Sequence, residues 1–337
     1  MVFFSQIKIK ENNIKEAIVK TIAFFDLFDY PLTRQEIWKY VQILQNTPMI
    51  IYDILDSKKL NNIIEEKNGF YFLAGREKII RTRMERYNYA GRKFKRAMLM
   101  AKIFKFIPWI KMIAIGNIIG AHNLKDNGDI DFFIITEPGR IWITRFFCVV
   151  AADLLGWRPK GNITRDKICL SFFASEGAMD LRELMLDGEP PKSSRLGAAD
   201  SGGAGNADDI YFIYWLAGLA LIYNKDGVYK KFIKANHWLK EYLPNWQPPQ
   251  SANQRNSGKN FSCFYHNLID LLFRGLEKNA KKLQLKKMPS GLKKIMNKDT
   301  QVVVNDQVLK LHVKDRREEY FRKWEEKLIY IDIHRYT

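Results

Sequence analysis

Residues 129–136 read Asp-Ile-Asp-Phe-Phe-Ile-Ile-Thr (DIDFFIIT), and this stretch has the character of a buried strand that opens on two acids. The residues from Phe132 to Ile135 do not alternate with polar ones, so the strand is expected to be covered on both faces. Asp129 and Asp131 are two positions apart, and on a strand that spacing sends both side chains to one face. Carboxylates in an apolar setting are costly unless a cation answers them. A Mg²⁺ held by one or two carboxylates together with substrate phosphates is the usual solution, and Mn²⁺ suits the same oxygen donors. Upstream, residues 111–116 (KMIAIG) predict a second strand that ends in a glycine turn at Gly116-Asn117.

Toward the N-terminus the sequence predicts a separate module over residues 1–80. A helical pattern spans 14–30 and stops at Pro31. Thr33 and Glu36 have the spacing of a capping box, and the helix they start carries Ile37, Tyr40 and Val41 on one face. A third helix is expected over 49–58 (MIIYDILDSK). Residues 63–66 and 70–73 flank Lys67-Asn68-Gly69, where Asn-Gly favours a tight hairpin turn. Three helices and a hairpin are the plan of a winged helix. Its third helix presents Asp53 and Asp56, whereas a helix that reads DNA usually presents Arg, Lys, Asn or Gln. Packing or protein contact is therefore at least as good an expectation for it as nucleic-acid binding.

Residues 76–107 predict a basic connecting helix, broken by Pro108. After the acidic strand, Pro138-Gly139 turns the chain into a helix over 140–155, and 167–173 (KICLSFF) predicts a third strand. A loop rich in Gly, Ala, Ser and Pro follows at 189–208. Helices are expected over 209–223 and 227–243, then a linker over 244–259. A long helix over 261–284 continues into a lysine-rich stretch ending near 294. A strand pair at 302–304 and 308–311 turns at Asn305-Asp306, and a charged helix spans 315–328. The expected fold class is α+β and multidomain: the winged-helix-like module (1–80), a small mixed sheet flanked by helices (81–243), and a linker with a basic helical C-terminal region (244–337).

The chain of 337 residues carries 55 Lys and Arg against 37 Asp and Glu, a net charge of +18. That excess favours polyanionic partners such as nucleotides and nucleic acids. Cys148, Cys169 and Cys263 are far apart in sequence, which argues against a disulfide framework or a zinc-finger spacing and fits a reducing cytoplasm. The N-terminal stretch MVFFSQIKIKENN lacks a secretory-signal pattern. The longest uncharged apolar run, residues 210–223 (IYFIYWLAGLALIY), is short of the roughly 20 residues that span a bilayer, so a core helix and no membrane span are expected.

The order Ile115-Gly116-Asn117, eleven residues, then Asp129-Ile130-Asp131-Phe132 resembles the signature of the polymerase-beta-like nucleotidyltransferases. The stretches DIDFFIITEPGRIWITRFF, ICLSFF and DIYFIYWLAGL are similar to bacterial proteins that carry such a domain. The resemblance implies transfer of a nucleoside monophosphate from an NTP to an acceptor hydroxyl, with Asp129 and Asp131 on the metal. Gly116 would let a phosphate approach the backbone, and Asn117, Lys125 and Ser171 would line the substrate. His122 and Arg140 or Arg145 are secondary candidates for phosphate contact.

Two positions depart from the family pattern. Asn117 stands where a second small residue of a Gly-Ser pair is usual. On the strand where a third carboxylate is usual, this chain has Cys169 and Ser171, with Asp166 and Glu176 only flanking it. Either a flanking acid substitutes, or the metal is held weakly, or the domain is a degenerate nucleotide- or nucleic-acid-binding regulator.

Overall fold

The computed structural model describes residues 2–43, 48–57, 59–116, 126–186, 209–248, 263–312 and 315–334. The chain is mixed α/β, with two sheets and twelve α-helices among the described residues. It opens with α1 (Val2–Asp26), β1 (Leu32–Thr33), α2 (Arg34–Tyr40) and α3 (Met49–Asp56), followed by β2 (Ile64–Lys67) and β3 (Phe70–Leu73). The capping box forms as the sequence predicts. The Glu36 amide donates to Thr33 Oγ1 at 3.3 Å, and the Thr33 amide donates to Glu36 Oε2 at 2.8 Å. The hairpin turns on Asn68 (φ 55°) and Gly69 (φ 79°), two consecutive left-handed residues that set the twist a two-residue turn needs. The three strands lie in the order β1-β3-β2, all antiparallel.

The long basic helix α4 (Ile79–Phe104) leads to β4 (Ile110–Ile115), β5 (Ile130–Thr136), α5 (Ile141–Leu154) and β6 (Ile168–Ser175). Then come α6 (Ile210–Ala217), β7 (Ala220–Asn224), α7 (Val228–Ala235) and α8 (Leu239–Tyr242). The remainder holds α9 (Cys263–Phe273), α10 (Glu277–Lys287), α11 (Ser290–Ile295), β8 (Val302–Val304), β9 (Val308–Leu311) and α12 (Arg317–His334). The central sheet has six strands in the order β7-β4-β5-β6-β9-β8. Only β5 and β6 run parallel; every other neighbouring pair is antiparallel. Both faces are covered, as the run of apolar residues in β5 requires. Ile130, Phe132 and Ile134 pack with α4 and α5, while Phe133 and Ile135 face α6 and α7.

Three expectations are corrected. Residues 209–223 are not one helix: α6 ends at Ala217, capped at Gly218, and the rest of the apolar run forms β7 along the free edge of β4. A run that is apolar on every side carries no period to separate helix from strand, and the edge of β4 decides the matter. The helix expected over 261–284 is broken by a 3₁₀ turn at Arg274–Leu276. The helix expected over 227–243 is likewise interrupted after Ala235, where the Asn236 side chain donates to the carbonyls of Met179 and Phe232. The strand pair near the C-terminus forms, and it extends the central sheet through β6. The loop expected at 189–208 lies outside the described residues, as does the linker beyond 248.

Candidate functional site: a carboxylate pair beside a basic, aromatic cavity

Asp129 immediately precedes β5 and Asp131 is its second residue. The entry to this strand is held from three sides. The Ile130 amide donates to the Lys167 carbonyl at 2.7 Å and the Asp166 amide to the Gly128 carbonyl at 3.2 Å. From α4, Lys93, whose side chain is fully buried, donates to the Gly128 carbonyl and pairs with Asp166 at 3.0 Å. Arg92 pairs with Asp166 at 2.9 Å and with Asp126 at 2.5 Å. Burial alone would raise the Asp166 carboxyl, but the hydrogen bonds from Arg92 and Lys93 hold it below its ordinary value. The basic face of α4 therefore fixes the turn that delivers the two acids.

In the parallel pairing of β5 with β6, Asp131 sits opposite Cys169. Ligand atoms of Asp129, Asp131 and Cys169 all lie within 4.8 Å of one another. The register then shifts between Asp131 and Phe133, with two residues of β6 (Leu170 and Ser171) set against Phe132 alone. Such a bulge re-aims side chains next to it. Ser171 Oγ accepts from the Cys169 thiol at 3.2 Å and is 2.9 Å from His312 Nε2. Burial, and then the neighbouring Asp131 carboxylate, raise Asp129 above the usual carboxylate range. Burial likewise raises Asp131, partly offset by the Cys169 thiol beside it. Among the described residues neither acid forms an ion pair; the charges of His312 and Lys93 offset only part of the rise at Asp129, so a bound cation would relieve the cost of ionising both.

Asp131 borders a cavity of about 210 Å³ whose lining includes Gly116, Phe172, Trp215, Lys310, His312, Asp315, Arg316, Arg317 and Tyr320. Gly116 follows β4, and its amide donates to the Asp131 carbonyl at 2.9 Å. A Cβ at Gly116 would lie 2.8 Å from Trp215 Nε1. The indole fills the space a side chain would take, and it is stacked against Phe172 (5.3 Å, 15°) and Phe212 (5.5 Å, 13°). The opposite wall comes from β9 and the start of α12. Lys310 Nζ pairs with Asp315 at 2.9 Å, and burial, with Arg317 beside it, pushes its pKa down to about 8. Arg317 pairs with Asp315 at 2.8 Å and with the buried Asp209 at 2.5 Å. Burial and the Lys310 charge lower His312 from its ordinary value. Arg316 is half-exposed, and Glu319 approaches it only at 3.9 Å.

The sequence-predicted residues divide accordingly. Asp129, Asp131, Gly116 and Ser171 come together. Asn117, His122 and Lys125 lie outside the described residues. Neither Asp166 nor Glu176, the acids flanking the third strand, joins the pair, nor does Asp180 further along. Asp166 anchors the turn, Glu176 pairs with Lys231 at 2.7 Å, and Asp180 accepts from the Trp238 indole N–H at 3.0 Å. Arg140, just before α5, pairs with Asp270 at 2.6 Å, and Arg145 on α5 donates to Gln284 at 2.7 Å; α5 covers the opposite face of the sheet. Sequence reasoning did not find Trp215, Lys310, His312, Arg316 or Arg317. One signal was available: in Val308-Leu309-Lys310-Leu311-His312 the polar residues recur at strand period on the same side as Val308, which places them on the face that carries the acids. Comparison of the chain with protein-family models, with curated proteins and with solved structures gives no match in any of the three.

Proposed function

We propose that this protein transfers a nucleoside monophosphate from an NTP to an acceptor hydroxyl, with Asp129 and Asp131 as the cation-binding carboxylates. One observation carries the reading: two neighbouring, part-buried carboxylates have no ion pair among the described residues, and one of them, Asp131, borders a cavity whose far wall carries Lys310, His312, Arg316 and Arg317. The donor oxygens fit Mg²⁺ or Mn²⁺. When bound, such ions neutralise polyphosphate charge and lower the pKa of an acceptor hydroxyl. The chain's own work is then positioning and charge compensation. Asp129 and Asp131 orient the cation on a strand end clamped by Lys93. Arg316 and His312 face the anionic end of the substrate. Gly116 keeps the backbone close to the cavity, and the ring of Tyr320, stacked on Tyr211, offers flat apolar surface to a base.

In this reading the N-terminal helices and hairpin form a winged-helix-like module, the central sheet is the nucleotidyltransferase core, and a reducing cytoplasm is the compartment. The acceptor or partner is a polyanion. Lys282, Lys286, Lys287, Lys293 and Lys294 on α10 and α11 are all exposed, and none forms an ion pair among the described residues. Asp131→Ala is expected to abolish metal-dependent pyrophosphate release from NTP while leaving the fold intact. Turnover unchanged in that variant overturns the assignment. A second reading, a nucleotide-binding regulator without catalysis, is favoured by one feature, the cysteine on β6 in place of a third acid. Calorimetric titration with ATP, with and without Mg²⁺, combined with the pyrophosphate assay separates the two. Binding without release is the regulator's signature.

A further inference from the structure

Cys169 changes what the carboxylate pair can hold. We infer that Asp129, Asp131 and Cys169 form a mixed oxygen–sulfur site for a thiophilic divalent cation of the zinc class, with Mg²⁺ the weaker ligand partner. The inference rests on the reading that the two carboxylates hold a cation, and it concerns which one. Three observations place the sulfur in the site. Cys169 is paired in register with Asp131 across β5 and β6. Its sulfur and one oxygen of each acid fall within 4.8 Å of one another. Ser171, beyond the bulge, is engaged by His312 at 2.9 Å and by the thiol itself at 3.2 Å, and among the described His, Cys, Asp and Glu residues Cys169 supplies the third ligand atom grouped with the acids.

The donor chemistry then sets the preference. Carboxylate and water suit Mg²⁺ and Mn²⁺, whereas a thiolate selects zinc-like ions, and affinity along the first-row series favours cobalt and zinc over manganese. Three protein ligands with a fourth position open toward a cavity is the arrangement of a catalytic rather than a structural zinc site. Here the open side is the cavity bordered by Asp131 and His312, where water or a phosphate oxygen completes the set. Binding displaces the thiol proton to solvent, so one M²⁺ enters, one S–M bond forms and one H⁺ leaves.

The test is cobalt titration of the full chain under reducing conditions, followed by absorption. Wild type is expected to take up Co²⁺ with a near-ultraviolet thiolate-to-cobalt charge-transfer band, which equimolar Zn²⁺ removes and a roughly hundredfold excess of Mg²⁺ does not. Cys169→Ser is expected to lose the band and to weaken Zn²⁺ binding by at least about tenfold. Cys169→Asp is expected to lose the band and to narrow the gap between Zn²⁺ and Mg²⁺. No band in wild type, a band unchanged in Cys169→Ser, or displacement by Mg²⁺ as easily as by Zn²⁺ overturns the inference. Should Cys169→Ser fail to fold, Asp131→Asn must weaken cobalt binding, and unchanged binding there also overturns it. Failure of the transfer reading looks different: a cobalt band with no pyrophosphate release from any NTP sinks the activity and leaves this site standing.

Discussion

Gly116 and Asp131 meet through one backbone hydrogen bond, and each has a distinct substitution test. At Gly116 a methyl group would meet two atoms of the Trp215 ring at 2.8 and 2.9 Å. The indole cannot yield easily, because Phe172 and Phe212 both stack against it. Gly116→Ala is expected to destabilise the protein by about 1–3 kcal/mol, read from denaturant melts. Trp215→Phe should recover part of that loss, since the smaller ring withdraws the clashing edge. At Asp131 the metal-free protein carries a charge that burial disfavours. For a carboxyl raised in the folded state, stabilisation is complete below the ordinary carboxylate pKa of about 4 and is lost as pH rises through the folded value. Metal-free wild type should therefore lose stability between pH 4 and neutrality through this pair, and Asp131→Asn should flatten that loss. The same substitution is expected to raise the metal-free melting temperature at pH 7. A steeper pH dependence in the variant would contradict the burial described here.

Between elements, the decisive joint is the one that Arg317 makes at the start of α12. Its guanidinium reaches Asp209, which also accepts from the Phe212 amide at 3.1 Å and so caps α6. Arg317→Ala would leave a fully buried carboxylate without its partner, and a loss of about 3–5 kcal/mol is expected. A neutral Asp209→Asn in the same background should restore a measurable part. This joint also shows where sequence reasoning ends. The capping box at Thr33, the Asn68-Gly69 turn and the Asn305-Asp306 turn are local chemistry and could be read directly. The acid pair could be read because its spacing is local as well. The split of residues 210–223 into α6 and β7 depended on an unpaired edge a hundred positions upstream, and no local period carries that. The cavity wall depended on β9 pairing with β6, a long-range register that residue types suggest only through the odd placement of Lys310 and His312 in an apolar strand. Asp166 flanks β6 in sequence and is one of the two acids weighed as a substitute for the missing third carboxylate. Its pairing with Lys93 and Arg92 on α4 is a contact that sequence distance conceals.

Over the whole molecule, the N-terminal helices and one face of the central sheet share a single apolar core. Phe24 and Phe25 pack on Tyr214 at 4.7 and 4.9 Å, the Tyr214 hydroxyl donates to the Tyr40 carbonyl at 2.9 Å, and the Trp324 indole donates to the Lys20 carbonyl at 3.0 Å. Unfolding of the N-terminal module should therefore not precede that of the sheet, and calorimetry is expected to show one transition for both. Among the described residues no helix is long and apolar enough to cross a membrane. If the exposed lysines of α10 and α11 track a nucleic-acid backbone, affinity for single-stranded RNA should fall with salt. Replacing Lys286, Lys287, Lys293 and Lys294 by Gln should reduce the slope of log affinity against log salt by about 0.7 per lost contact. A slope unchanged by the four substitutions would place the RNA elsewhere. The layout of the cavity also bears on synthesis. Ribosomes deliver the acid pair long before they deliver Lys310, His312 and Arg317, so an unfinished chain has the carboxylates but lacks the opposite wall. On the transfer reading proposed above, incomplete products, and fragments clipped ahead of β9, should thus be inert toward nucleotide, and competence should arrive only when β9 and α12 emerge.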